Sequence, residues 1–505
     1  MIKPQTFLFV DDHHVLYRSG TERIVTPFRR HPENPVVAAH DKPWEIAIGW
    51  TSIYRNPITG RYQLWYQAYT GDQLEERTQD CAVCYAESDN GIQFSKPALG
   101  IIPFKESSES NIVLIGNGGY SYRYGNYVLV DEICADPARR YKMAYFDFAG
   151  EGEEESPGLC VAFSPDGIRW TKHPVAPLSG IAYGRGGFGS PVPFEDDASE
   201  PWRRPLTMSD ALDAMYDPVL SRYVIYGKMW IDGPDGGMFW KHGIGRIESK
   251  DFINWSSPEL VMTPDDQDLP HVEFHTAPVF YHEGCYFALT QVLDRATGGG
   301  VIDIELMISR DGRNWNRPFR DTFVLPRAAS GSFDGGSIFT NATPVLLDDE
   351  FRFYYGGYSG GATSADDRGH RSGVGMASIP RNRFAGIRPV ALSDQPTLNR
   401  PLHDCGQVTL KPIRLTSDGT LTLNADASHG SIRVELLNAA GSRVRGYSLE
   451  ESCTITGDSL SHAVVWSPSP YLPQDTDQYM VRIHLANATV YSMTHNCDRP
   501  VGKDA

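Results

Sequence analysis

Acidic side chains recur in this chain at matching places in a repeated unit. Counting back ten residues from a repeated aromatic gives Asp131 before Tyr141 and Asp213 before Tyr223. The same step from Tyr286 reaches Thr276, next to Glu273 and His275. From Phe351 it reaches Asn341, with Asp334 upstream, and from Tyr62 it reaches Ser52, with Glu45 upstream. Carboxylates gathered near one point repel one another and lose hydration, so folding alone gives no reason to gather them. A pair of them can do acid and base work: one protonates an oxygen leaving group while the other attacks or activates water, which is the chemistry that opens a glycosidic bond. Asp131, Asp213 and Glu273 are the candidates for that work. Each alone also fits a turn or strand-end acid that caps a backbone N–H.

Around these acids stand residues able to hold a sugar. Trp44 and Trp230 offer aromatic faces, Glu45, His275 and Asp334 offer hydrogen bonds, and His370 lies in Arg368-Gly369-His370-Arg371 just before the last repeated strand. His271, Glu273 and His275 alternate along one strand and would share a face, a spacing compatible with a metal. Hydrogen-bonding pocket residues are the preferred reading, and no metal or cofactor is expected. Cys81-Ala-Val-Cys84 is the lone CxxC among eight cysteines; with no second pair it reads as small core residues on opposite sheet faces.

The elements that must position these groups are repeats. An alternating segment rich in Tyr, Leu and Phe occurs at 61–66, 140–145, 222–226, 285–289 and 350–355, and each copy reads as a strand. A second motif follows the first four at 88–94, 164–170, 249–255 and 309–315, with a degenerate fifth copy at 377–384. Its Ser-x-Asp-Gly-x-x-Trp form suits a hairpin turn: Ser and Asp cap the backbone, Gly takes the positive φ, and Trp covers the turn. Five copies spaced by roughly 60–85 residues fit four strands plus loops, so the expected fold is all-β, with a five-bladed β-propeller over about 1–398. A propeller brings one inner strand of every blade to a shared axis, where a pocket can collect a residue from each. From 399 to 505 the pattern changes to short alternating strands between Gly, Asp and Ser turns, as in a C-terminal β-sandwich.

Composition narrows the partners. With 63 acidic and 46 basic side chains the formal charge is −17, which opposes nucleic acid and anionic lipid. No apolar run approaches the roughly 18 residues of a membrane span. If Met1 is the native start, a cytoplasmic location is expected; loss of a signal peptide would make it periplasmic or secreted. Aromatic residues at 11 % exceed what a core alone requires.

A propeller followed by a sandwich, with Asp, Asp and Glu from successive inner strands, resembles the fructosidase and arabinanase superfamily of glycoside hydrolases, families 32, 43 and 68. In family 32 the motifs run Asn-Asp-Pro-Asn-Gly, Arg-Asp-Pro and Glu-Cys-Pro. Here the first-blade position reads Gly49-Trp50-Thr51-Ser52-Ile53 without an Asp, while Asp131, Asp213 and Glu273 occupy blades two to four. The triad is either shifted by one blade or rebuilt with Glu45. The resemblance implies hydrolysis of an oligosaccharide or glycoside, a furanoside such as a fructoside or arabinoside being favoured. It further implies Asp131 as nucleophile or base, Asp213 as transition-state stabiliser and Glu273 as general acid. Two other functions stay open: a phosphorylase or transglycosidase, with Arg139, Arg140, Arg185 and Arg371 as sources of positive charge, and a non-catalytic carbohydrate-binding propeller.

Overall fold

The computed structural model describes residues 4–70, 81–105, 107–116, 126–149, 156–174, 178–180, 208–236, 240–297, 299–320, 322–362, 371–392, 402–416, 419–467, 472–473 and 478–496. Among them the chain is all-β apart from one turn of 3₁₀-helix, Pro137–Arg139. No described helix is long and apolar enough to cross a membrane.

Five antiparallel four-stranded units make the blades. Blade one runs Ala47–Arg55, Tyr62–Tyr69, Cys81–Ser88 and Ile112–Ile115 from the inside outward. Blade two begins with Asn126–Val130 and Tyr141–Ala149, and blade three with Met208–Asp217, Arg222–Ile231 and Lys241–Ser249. Blade four carries Val272–Phe274 and Val279–His282 inside, then Cys285–Asp294 and Val301–Ser309. Blade five has Ser337–Phe339, Glu350–Tyr358 and Ser372–Pro380, and its outer edge is supplied by Arg29–Arg30 and Val37–Ala38 from near the start of the chain. Cys81 and Cys84 are free and buried in blade one.

The repeated turn is built as its residues dictate. In blade two the Ser164 hydroxyl accepts from the Asp166 and Gly167 N–H groups, and the Asp166 carboxylate accepts from those of Ile168 and Arg169. Gly91, Gly167 and Gly312 take φ of 75°, 80° and 69°; blade three places Phe252 there at 67° and the degenerate copy Asn382 at 62°. The turn also joins neighbouring blades. Trp65 of blade one donates its Nε1–H to the Gly167 carbonyl at 2.6 Å, Tyr226 of blade three donates to Gly312 at 2.7 Å, and Tyr354 of blade five donates to Gly91 at 2.6 Å. The last of these, with the Ile48 N–H on Ser372 Oγ, closes blade five onto blade one.

The second compact unit is a ten-stranded sheet folded on itself as a sandwich. Its longest strand, Thr420–Asn438, pairs in its first half with Thr489–Asn496 and in its second half with Gln478–Ala486, so one strand serves both layers. Phe9, Leu423, Val434, Trp466 and Ile483 belong to the core between them. The division of the chain differs from the expected 1–398 and 399–505. This unit takes Met1–Pro27, Leu346–Phe351 and Ile379–Ala505, and the propeller takes Phe28–Val345 and Arg352–Ser378. The reason is long-range pairing: Gln5–Leu8, Val15–Ser19 and Thr21–Val25 add to strands that come 360 to 490 positions later.

Candidate active site

Each blade opens with its inner strand, so the first residues of these strands meet at one end of the propeller axis. There Asp210, third residue of Met208–Asp217, pairs with Lys228 of the next strand at 2.5 Å. Glu273 enters from blade four. Its Oε2 accepts from His242 Nδ1 at 2.5 Å and from the His242 backbone N–H at 3.3 Å, and its Oε1 accepts from Arg295 Nε at 2.6 Å. The Trp230 ring lies against the His242 imidazole, with centroids 3.7 Å apart and ring planes tilted by 37°. His275, two residues beyond Glu273, meets Gln291 Oε1 through Nδ1 at 3.1 Å, and its ring faces Trp50 and Phe339. Three blades thus supply the group, and blade one adds Trp50.

Blade one brings Trp50, and no acid of its inner strand, to this group. The pairing of Ala47–Arg55 with Tyr62–Tyr69 slips between Gly49 and Thr51, and Trp50 bulges out at φ 43° with its ring 4.7 Å from Phe339. A left-handed conformation at a bulky residue costs on the order of 1–3 kcal/mol and is held where the surroundings demand it. Here an aromatic ring from blade one packs among residues of blades four and five.

The electrostatics separate the acids. Burial raises the Glu273 carboxyl, and hydrogen bonds and charge from His242 and Arg295 more than reverse this, holding it down at about 2. Burial raises Asp210 too, and the Lys228 ammonium overcomes it, leaving Asp210 lowered. Both are carboxylates at neutral pH. Burial, reinforced by Lys228, depresses His242 to about 4 and His275 to about 3, so both imidazoles are neutral. Asp213 is the opposite case: wholly buried, it is raised well above the usual carboxylate range by loss of hydration, which the N–H groups of Ala214 and Ala342 oppose without reversing. It is a neutral acid whose Oδ2 has no partner among the described residues.

Of the residues expected from the sequence, Glu273, His275 and Trp230 come together. Asp213 lies three residues further along the inner strand than Asp210, packed inside. Asp131 is not brought to the group. It follows the far end of Asn126–Val130, bound to Lys142 at 3.2 Å and to the Tyr223 hydroxyl at 2.5 Å. Tyr223 pairs with Tyr216, six residues along blade three from Asp210, which at roughly 3.3 Å per residue is about 20 Å away. The misplacement has a simple cause. Tyr62 and Tyr223 pair with residues seven back, Arg55 and Tyr216, whereas Tyr141 pairs with Val130, eleven back, across a longer turn holding the 3₁₀ segment. The blade-two counterpart of Asp213 is therefore Tyr127.

Trp44 is 2 % exposed and donates to Asn111, so it is a packing residue with no free face for a sugar. Glu45 is buried between Tyr66 and Lys96 of blade one, and Asp334 between Arg30 and Tyr355 of blade five. His271 pairs with Asp294, and no group of three or more His, Cys, Asp or Glu among the described residues is arranged to hold a metal ion. Arg139 lies at the Asp131 end, reaching the Asp251 carbonyl. His370 and Arg185 lie outside the described residues.

The sequence reading missed Asp210, Lys228, His242 and Arg295. Asp210 was in plain view three residues before Asp213, but the pairing of blade three slips between Met208 and Leu212, and alternation does not carry through such a bulge. The other three sit on second and third strands or the turn between them, which an inner-strand count does not sample.

No protein-family model and no curated protein matches the chain. Among solved structures it is similar to a glycosyl hydrolase from Bacteroides ovatus, at 17 % identity over 70 % of this chain and 94 % of that one, TM-score 0.43. It is also similar to an N-acetylgalactosamine deacetylase from F. plautii in complex with blood group B trisaccharide (15 % identity, 72 % and 97 % covered, TM-score 0.43) and to a thermostable family-43 glycoside hydrolase (14 % identity, 65 % and 88 % covered, TM-score 0.41).

Proposed function

We propose that the protein is a glycoside hydrolase whose working carboxylates are Asp210 and Glu273. The observation that carries this reading is their arrangement: they enter from the inner strands of adjacent blades, Glu273 bonded to a neutral His242 that also feels the charge of Asp210, beside the half-buried ring of Trp230. Two carboxylates alone do not cleave a glycoside, because one must carry a proton to the leaving oxygen. Both are ionised in the free protein, so the acid is the one that loses its cation when substrate arrives. Lys228 is 7 % exposed and fixed on Asp210, whereas the Arg295 side chain is 44 % exposed and can turn toward a ligand. With Arg295 withdrawn and solvent displaced, Glu273 is left buried with a neutral imidazole and takes up a proton. Glu273 then protonates the leaving oxygen, and Asp210, kept ionised by Lys228, acts as nucleophile or draws a proton from the attacking water. Trp230 stacks on the sugar face. A furanoside such as a fructoside or arabinoside is the preferred class, on the family resemblance alone.

Arg295 and Lys228 favour one second reading, phosphorolysis, in which phosphate takes the place of water. A screen of aryl furanosides and glycans, with and without phosphate, separates the two. Release of sugar that disappears in Asp210→Asn and in Glu273→Gln, and survives in Asp131→Asn, is the expected result. Loss of turnover in folded Asp131→Asn, with Asp210→Asn active, would overturn the assignment, and binding with no release would mark a carbohydrate-binding propeller.

A further inference from the structure

Resting on that reading, we propose that the substrate carries a carboxylate, on the sugar that is cleaved or on its neighbour, and that Arg295 and Lys241 receive it. The formal charge of the chain is −17, yet among the described residues the group bonded around Asp210 and Glu273 brings three cations, Lys228, Lys241 and Arg295, to those two carboxylates, while the neighbouring Asp294 pairs with His271. Lys241 is the surplus charge. Its Nζ reaches only the Val272 carbonyl, at 3.4 Å, and lies 4.1 Å from the centre of the half-exposed Trp240 ring; among the described residues no carboxylate pairs with it. Val272 adjoins Glu273, and the Arg295 N–H bonds the carbonyl of His271, so Lys241 and Arg295 flank the same short strand. The two imidazoles nearby are neutral and cannot balance the excess.

Arg295 is the better placed of the two to bind a ligand. Its guanidinium holds Glu273 through Nε and, less closely, through Nη2 at 3.3 Å, while nearly half of the side chain faces solvent. A guanidinium fork matches a carboxylate in two parallel hydrogen bonds, so a substrate carboxylate competes with Glu273 for the same donors. A neutral sugar has no such claim. The competition gives the site a form of selection: an acidic substrate withdraws Arg295 and leaves Glu273 able to carry a proton, and a neutral one leaves the ion pair closed. Lys241 then steadies the second carboxylate oxygen from the Trp240 side.

The test uses the full chain and a set of uronate-bearing oligosaccharides, each paired with its carboxyl-reduced form, which has the same linkages and no charge. Binding is read by calorimetry and cleavage by chromatography. The expected result is a preference for the acidic member of roughly 10- to 100-fold in binding and in kcat/KM, the range of a charge-assisted pair. In binding, Arg295→Gln should erase the preference by weakening the acidic member, and Lys241→Met should reduce it; in cleavage, Glu273 freed of its cation should leave the neutral member no slower. Equal binding of acidic and reduced forms, or equal losses on both in Arg295→Gln, overturns the proposal. Neutral substrates cleaved only with phosphate present would assign the cations to phosphate and overturn it as well. Tight, Arg295-dependent binding of an acidic oligosaccharide that is never cleaved would keep the inference and remove the hydrolase reading.

Discussion

Asp213→Asn tests the electrostatics of the axis most directly. In the folded protein Asp213 is wholly buried and raised well above the usual range, so it holds its proton. In the unfolded chain an Asp ionises near pH ~3.9. Above that pH the unfolded state has released a proton that the folded state keeps, so folding stability falls as pH rises, by about 1.4 kcal/mol per unit, until the buried group ionises. The amide has no proton to lose and removes this slope. It also keeps the acceptor for the Ala214 N–H, and its NH₂ replaces an Oδ2 that already lacks a partner, so the constant offset is small. From pH 5 to pH 7 the native protein should lose up to about 3 kcal/mol relative to the variant. The assay is urea unfolding of both proteins at pH 5, 6 and 7, followed by tryptophan fluorescence. A difference in stability independent of pH would show that Asp213 is ionised in the fold and would refute the reasoning. Turnover in the variant should stay within several-fold of native, since a neutral side chain replaces a neutral side chain. A loss of many thousand-fold would return Asp213 to the charged stabilising role implied by the family resemblance.

Three further outcomes are expected. Glu273 is lowered to about 2 against an unfolded value near ~4.3, so its pairing stabilises the fold above that value and is lost as pH falls toward 2; Glu273→Gln should flatten the acid limb of a stability-against-pH curve over that window. Asp131→Ala should leave turnover intact and cost about 3 kcal/mol in denaturant unfolding, because Lys142, only 3 % exposed, loses its carboxylate. Gly167→Ala should cost about 2–4 kcal/mol in the same measurement, since its φ is 80° and a Cβ would lie 2.5 Å from the Trp65 ring, at the contact that ties blade one to blade two.

What could be read from the sequence is what local chemistry controls. The capped turn depends on a Ser, an Asp and one residue of positive φ within four positions, and the alternating strands depend on period-two burial. Both are visible in a string of residues, and five copies of each made the propeller legible. Glu273, His275 and Trp230 were legible for the same reason: they lie near the ends of elements whose boundaries the repeats mark. Four extra residues between Val130 and Tyr141 stopped the repeat count short of Tyr127, at Asp131 at the opposite end of the blade. A bulge hid Asp210, and strands from the start of the chain joined a sheet built mostly from its end. The state of each acid was decided only in three dimensions. Asp210, Asp213 and Glu273 are chemically alike, and it is the partner beside each, a buried Lys228, no cation among the described residues, or an exposed Arg295 with His242, that makes one a fixed carboxylate, one a neutral acid and one a group able to change. Charge partners come from strands far apart in sequence, and hydration depends on what closes over them. Neither is encoded in spacing along the chain.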